Sequence, residues 1–137
     1  MRIALLALSL SLSLGLALPA TAQEAPIQST IQSQLDAFMA DDFATAFTFA
    51  SPTIKTIFGN PDNFGAMVQQ GFPMVWRHDG VQMLELREVA GSLYQRVMIT
   101  DAAGRTHLLD YQMVETTEGW QINGVQLLPE AGVGAQL

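Results

Sequence analysis

The chain has 137 residues, a mass of 14.9 kDa, a formal net charge of −7 and no cysteine. That length fits one domain, and 49% hydrophobic with only 14% charged residues excludes a disordered chain. Six basic against 13 acidic side chains leave no Lys/Arg cluster, which argues against nucleic acid and anionic membrane surfaces as partners. Without cysteine there is no disulfide, thiolate nucleophile, zinc–cysteine site or acyl attachment point.

Residues 1–22 read as a signal peptide. Arg2 precedes an apolar run from Ile3 to Leu18, and Ala20-Thr21-Ala22 is a small-x-small cleavage site that leaves Gln23 as the new N-terminus. The run is 16 residues long, short of the roughly 20 needed to span a membrane. The expected product is therefore periplasmic or secreted, with no membrane segment in its mature form. Residues 23–128 form one domain in this reading, and residues 129–137, rich in Gly and Ala, a flexible tail.

Apolar residues at Ile27, Ile31, Leu35, Phe38 and Met39 predict an amphipathic helix over Pro26 to Ala40, ended by Asp41-Asp42. Asp42 is a natural N-cap for a second short helix carrying Phe43, Ala46, Phe47 and Ala50. Ser51-Pro52 and Asn60-Pro61 are each a cap followed by a first-turn proline, and Gly59 and Gly71 supply the matching stops. Four helical pieces thus fill the N-terminal half. A short strand is expected near Met74–Arg77. Beyond it, Val81–Val89, Ser92–Thr100, Arg105–Glu115 and Trp120–Leu128 are runs rich in β-branched and aromatic residues, separated by short Gly-containing turns. Helices first and strands afterwards predict α+β, with the helices packed on one face of a curved antiparallel meander.

Alternation assigns the faces. Leu93, Gln95, Val97 and Ile99 share one face of the second strand, and His107, Leu109, Tyr111 and Met113 one face of the third. Both sets are expected to point inward. The first strand has no clear phase, because Val81 and Met83 compete with Leu84 and Leu86. In the last strand, Asn123-Gly124 reads as a bulge that resets the phase. A bent sheet with polar groups on its concave side is the geometry of a pocket, which makes Gln95, His107 and Tyr111 the candidate ligand-binding residues.

Several pieces together carry a resemblance: Ile31 to Phe49 with Asp42 in it, Ser51-Pro52, Ile57-Phe58-Gly59, Phe64 with Met67-Val68, Gln95-x-Val97, Tyr111-x-Met113 and Trp120-x-Ile122-x-Gly124-Val125. The chain resembles the nuclear transport factor two-like, cystatin-like cone superfamily. More narrowly, it is similar to a small bacterial exported family of the domain-of-unknown-function type. The resemblance implies a cone-shaped α+β fold. It leaves activity open, since that superfamily holds isomerases, dehydratases and epoxide hydrolases beside binding and dimerising modules.

An enzyme of this kind needs a carboxylate or imidazole inside the cone, opposite a donor. Tyr111, His107 and Gln95 could donate, but Asp110 falls on the outer face and Asp41 and Asp42 read as caps. His107 is either a hydrogen-bonded histidine of a mixed face or a general base. Tyr111 is either a core aromatic or a donor to a ligand. Gln95 is a structural clasp or a ligand contact. His78, Asp79 and His107 have no metal-ligand spacing, so no metal or cofactor is expected. Three functions remain open: a non-catalytic module for a small apolar ligand or a protein partner, a cofactor-free lyase or isomerase, and a homodimer joined through an outer face of Tyr94, Arg96, Met98, Leu108 and Val114.

Overall fold

The computed structural model describes residues 20–129. Nearly all of the leader read in residues 1–22, and the tail beyond Pro129, lie outside the described residues.

Helix α1 (Ala20–Met39) begins six residues before the expected start and runs through Pro26. Its buried stripe starts at Ile27, and Ile27, Ile31, Leu35 and Phe38 are all fully buried. Met39 departs from the expected stripe and is 44% exposed, because it lies one residue past Phe38 and so about 100° round the helix. Asp41 ends the helix with a left-handed backbone, φ +53°. Helix α2 (Phe43–Thr48) then starts on the expected cap: the Asp42 carboxylate accepts from the Thr45 N–H at 3.1 Å. Helix α3 (Pro52–Phe58) is capped by Ser51, whose Oγ accepts from the Ile54 N–H, and α4 (Pro61–Gly71) by Asn60, whose side chain accepts from the Asn63 N–H.

Where a strand was expected near Met74–Arg77, the chain makes a further helical turn, α5 (Pro73–Trp76). Pro73 fixes φ for a first helical position, and the N–H groups of Val75 and Trp76 close back onto the Phe72 carbonyl. The β-branched and aromatic residues of the segment lose to that local geometry.

Four strands follow, β1 (Gly80–Val89), β2 (Ser92–Thr100), β3 (Thr106–Thr116) and β4 (Gly119–Leu127), in one antiparallel meander of that order. The β1–β2 turn, Ala90-Gly91, has φ of +50° and +83°, the primed geometry that matches the twist of a two-residue hairpin. A bulge between Met83 and Leu86 explains the unclear phase of β1. Val81, Met83 and Leu86 all pair with inward residues, while Leu84 and Glu85 together face the single residue Arg96. The expected β4 bulge is present: Ile122 pairs with Met113 and Gly124 with Gln112, leaving Asn123 as the extra residue.

The helices cover the inner face, and one core joins them to it. Phe64 is a hub, its ring centroid 5.8 Å from Phe38, 5.4 Å from Phe47 and 5.8 Å from Phe58. The stretch between α2 and α3 is fastened to the last strand by a parallel bridge from Ala50 to Ile122. Ser51 N–H donates to Ile122 O and Ile122 N–H to Phe49 O, both at 2.8 Å. Ser51 Oγ adds a 2.8 Å hydrogen bond to Asn123 Oδ1. Among the described residues no helix is long and apolar enough to cross a membrane.

Candidate functional site: an apolar cavity between the helices and the last strand

Beneath the helices lies a cavity of about 250 Å³. Its wall takes Phe38 from α1, Ile54 and Phe58 from α3, Phe64, Met67 and Val68 from α4, Val75 from α5 and Ile122, Gly124 and Val125 from β4, with Ala50 and Phe72 between elements. The β4 bulge shapes this wall. By turning the strand at Asn123, it keeps Ile122 and Val125 both on the inner face, and Gly124 between them adds no bulk. Half-buried Ile54, Phe58, Met67, Phe72 and Val125 form the rim.

One polar side chain stands on the wall, Gln34 of α1, only 3% exposed. Its Nε2 donates to the Ala46 carbonyl of α2 at 3.1 Å. A carbonyl accepts only from the NH₂ end of the amide, so Oε1 must turn the other way. That oxygen has no hydrogen-bond partner among the described residues, and it is not one of the sealed unpartnered atoms of the interior.

The three residues expected to form a site do not converge on this cavity. Gln95 and Tyr111 are direct cross-strand partners on the inner face, and both are fully buried. Neither is on the cavity wall. Gln95 Nε2 donates at 2.9 Å to Leu84 O, in the β1 bulge, and at 2.9 Å to Arg96 O, so the amide clasps the bulged strand to its neighbour. Gln95 Oε1 and the Tyr111 hydroxyl are sealed in without partners. Burial in apolar surroundings pushes the Tyr111 phenol well above its usual range. His107 has the inward phase, pairing with Ile99, but it lies four residues from Tyr111, about 13 Å along the strand. There its Nε2 meets Asp101 Oδ2 at 2.8 Å beside a separate shallow depression of Pro73, Met74, Trp76 and Arg77. The His107 hydrogen bond, helped by the N–H groups of Arg105 and Ala103, lowers the Asp101 carboxyl below its ordinary value.

A family profile described as a domain of unknown function (DUF4864) matches residues 20–135. The chain belongs to that family. No functionally curated protein matches it. The DUF4864 chain is similar to the crystal structure of a domain of unknown function with a cystatin-like fold from Nostoc punctiforme. The two share 22% identity and a TM-score of 0.56, over 85% of this chain and 82% of that one. The likeness shows a cystatin-like fold, helices followed by a four-stranded antiparallel sheet.

Charged groups of the DUF4864 domain gather on the outer face of the sheet. Asp110 there accepts from Arg87 at 2.6 Å and from Arg96 at 3.2 and 3.3 Å, and Arg96 also reaches Glu85 at 3.2 Å. Burial pushes the Asp110 carboxyl up, but the hydrogen bonds from Arg96 and Arg87 outweigh it and hold the group below its ordinary value. Glu85 and Asp110 therefore serve an ion network on the far side of the sheet from the cavity. Among the described residues, the cavity wall carries no carboxylate, imidazole or hydroxyl. Gln34 was missed by strand parity because it sits on a helix. The signal was there: it lies three residues after Ile31 and four before Phe38, in line with the buried stripe.

Proposed function

We propose that this protein is an exported module that holds a small, mostly apolar molecule in the cavity between its helices and β4, without transforming it. The observation that carries the reading is the 250 Å³ cavity itself, apolar everywhere on its wall except at one glutamine. An apolar cavity of about 150 Å³ suffices for benzene, so this one has room for about ten non-hydrogen atoms. Catalysis is the weaker reading because acid–base chemistry needs a titratable group within hydrogen-bond reach of the reacting atom, and the wall offers none. The export half of the proposal rests on the leader pattern in residues 1–22, and among the described residues the buried stripe of α1 begins at Ile27, past the expected cleavage point.

Titration of the ¹⁵N-labelled protein with naphthalene tests the binding. Saturable shifts should appear at Gln34, Val68 and Val125, and should vanish in Val125→Phe, whose ring fills the space. Absence of saturable shifts in the wild type overturns the reading. For export, intact mass of the protein from a periplasmic fraction should correspond to a chain starting at Gln23.

A further inference from the structure

We infer that the cavity selects a neutral ligand bearing one hydrogen-bond donor, a hydroxyl or an N–H on an otherwise apolar body, and that Gln34 Oε1 is the acceptor that reads it. The inference rests on the binding reading above and adds the chemistry of the ligand.

Three observations carry it. Gln34 is the one polar side chain on the wall among the described residues, and it is 97% buried. One N–H of its amide is committed to Ala46 O at 3.1 Å, which fixes the amide's orientation, and Oε1 has no hydrogen-bond partner among the described residues. Among the described residues no cationic side chain stands on the wall.

These facts sort the possible ligands. A carboxylate would lose its hydration, find no cation among the described lining residues and meet Oε1 as a second acceptor, a large penalty in an apolar site. An ether, ester or ketone can at most accept from the second amide N–H and leaves Oε1 unmet, so it gains less than a ligand that donates. An alcohol, a phenol or an indole-type N–H satisfies Oε1 and buries the remainder of its surface against Phe38, Phe64 and Val125. A site built to hydrogen-bond a ligand group discriminates strongly against the analogue that lacks it, because a buried polar atom is then left unpaired.

Indole and benzofuran make the test, since they match in size and shape and differ in having N–H or ring oxygen at one position. Benzofuran is the more hydrophobic, so a cavity without a reading group would bind it at least as well. Isothermal titration of the full chain should give indole at least tenfold tighter than benzofuran. In Gln34→Met, which keeps the volume and loses the acceptor, the ratio should fall to one or below, with circular dichroism checking that the variant is folded. The wild-type ratio decides the matter even if that variant fails to fold. Equal binding, or a preference for benzofuran, overturns the inference while leaving cavity binding intact. Binding of neither compound, together with no shifts from naphthalene, overturns both.

Discussion

Removing the Tyr111 hydroxyl should stabilise the protein. The phenol is fully buried and its oxygen has no hydrogen-bond partner among the described residues. Such a hydroxyl carries a desolvation cost of roughly 1–3 kcal/mol that Tyr111→Phe relieves. The substitution leaves a gap of only a few Å³, worth about 0.1–0.2 kcal/mol at roughly 24 cal/mol per Å³. The net gain is about 1 kcal/mol, and for a folded unit of roughly 110 residues this raises Tm by about 4 °C. The pH dependence sharpens the test. In the unfolded chain a tyrosine ionises near pH 10, whereas burial raises the Tyr111 pKa in the folded state. Its folded-state contribution is complete below pH 10 and is lost as pH rises above it. The advantage of the phenylalanine variant should therefore grow by about 1.4 kcal/mol for each pH unit above 10. Urea unfolding at pH 7, 10 and 11 measures both quantities. A loss of 1 kcal/mol or more at pH 7 would refute the reasoning, since it would mean that the hydroxyl has a partner.

Other perturbations separate further parts of the structure. Asp110→Asn leaves Arg87 and Arg96 without their shared carboxylate and should cost about 1–3 kcal/mol at pH 7. Because the folded-state pKa of Asp110 is depressed, its contribution is present above the ordinary carboxylate range and fades as pH falls through it, so the variant should lose less than wild type between pH 5 and pH 2, as followed by thermal unfolding. Gly65→Ala would place a Cβ 2.7 Å from Phe43 Cγ and Cδ1. The clash should outweigh the helix-propensity gain of about 1 kcal/mol and lower Tm by several degrees. Ala90→Asn, at φ +50° in the β1–β2 turn, should gain about 1 kcal/mol in urea unfolding, because asparagine tolerates the left-handed region better than alanine.

What could be read in the sequence follows the range of the interaction. Asp42, Ser51 and Asn60 were legible as caps because a cap is decided within four residues. The Asn123-Gly124 bulge was legible because Ile122 and Val125 fall out of step within one strand. Parity also placed Gln95 and Tyr111 on the inner face. Parity says nothing of distance along a strand, however, and His107 shares their face while standing about 13 Å away. The segment near Met74–Arg77 forms a helical turn and not the expected strand because Pro73 sets a first helical position. Gln34 and the cavity were illegible for a different reason. Whether a space stays open under α1, α3 and α4 depends on how the helices dock, and no local pattern encodes that.

The staple between Ser51 and the Ile122–Asn123 step joins positions 72 residues apart. A chain made from its N-terminus onward cannot close this connection until the last strand has been synthesised. Helices α1 to α4 must wait for their partner, and contacts of such long range form late and slowly. Completion of the fold thus waits for β4, and a chain stopped before Ile122 should stay open and sensitive to proteases.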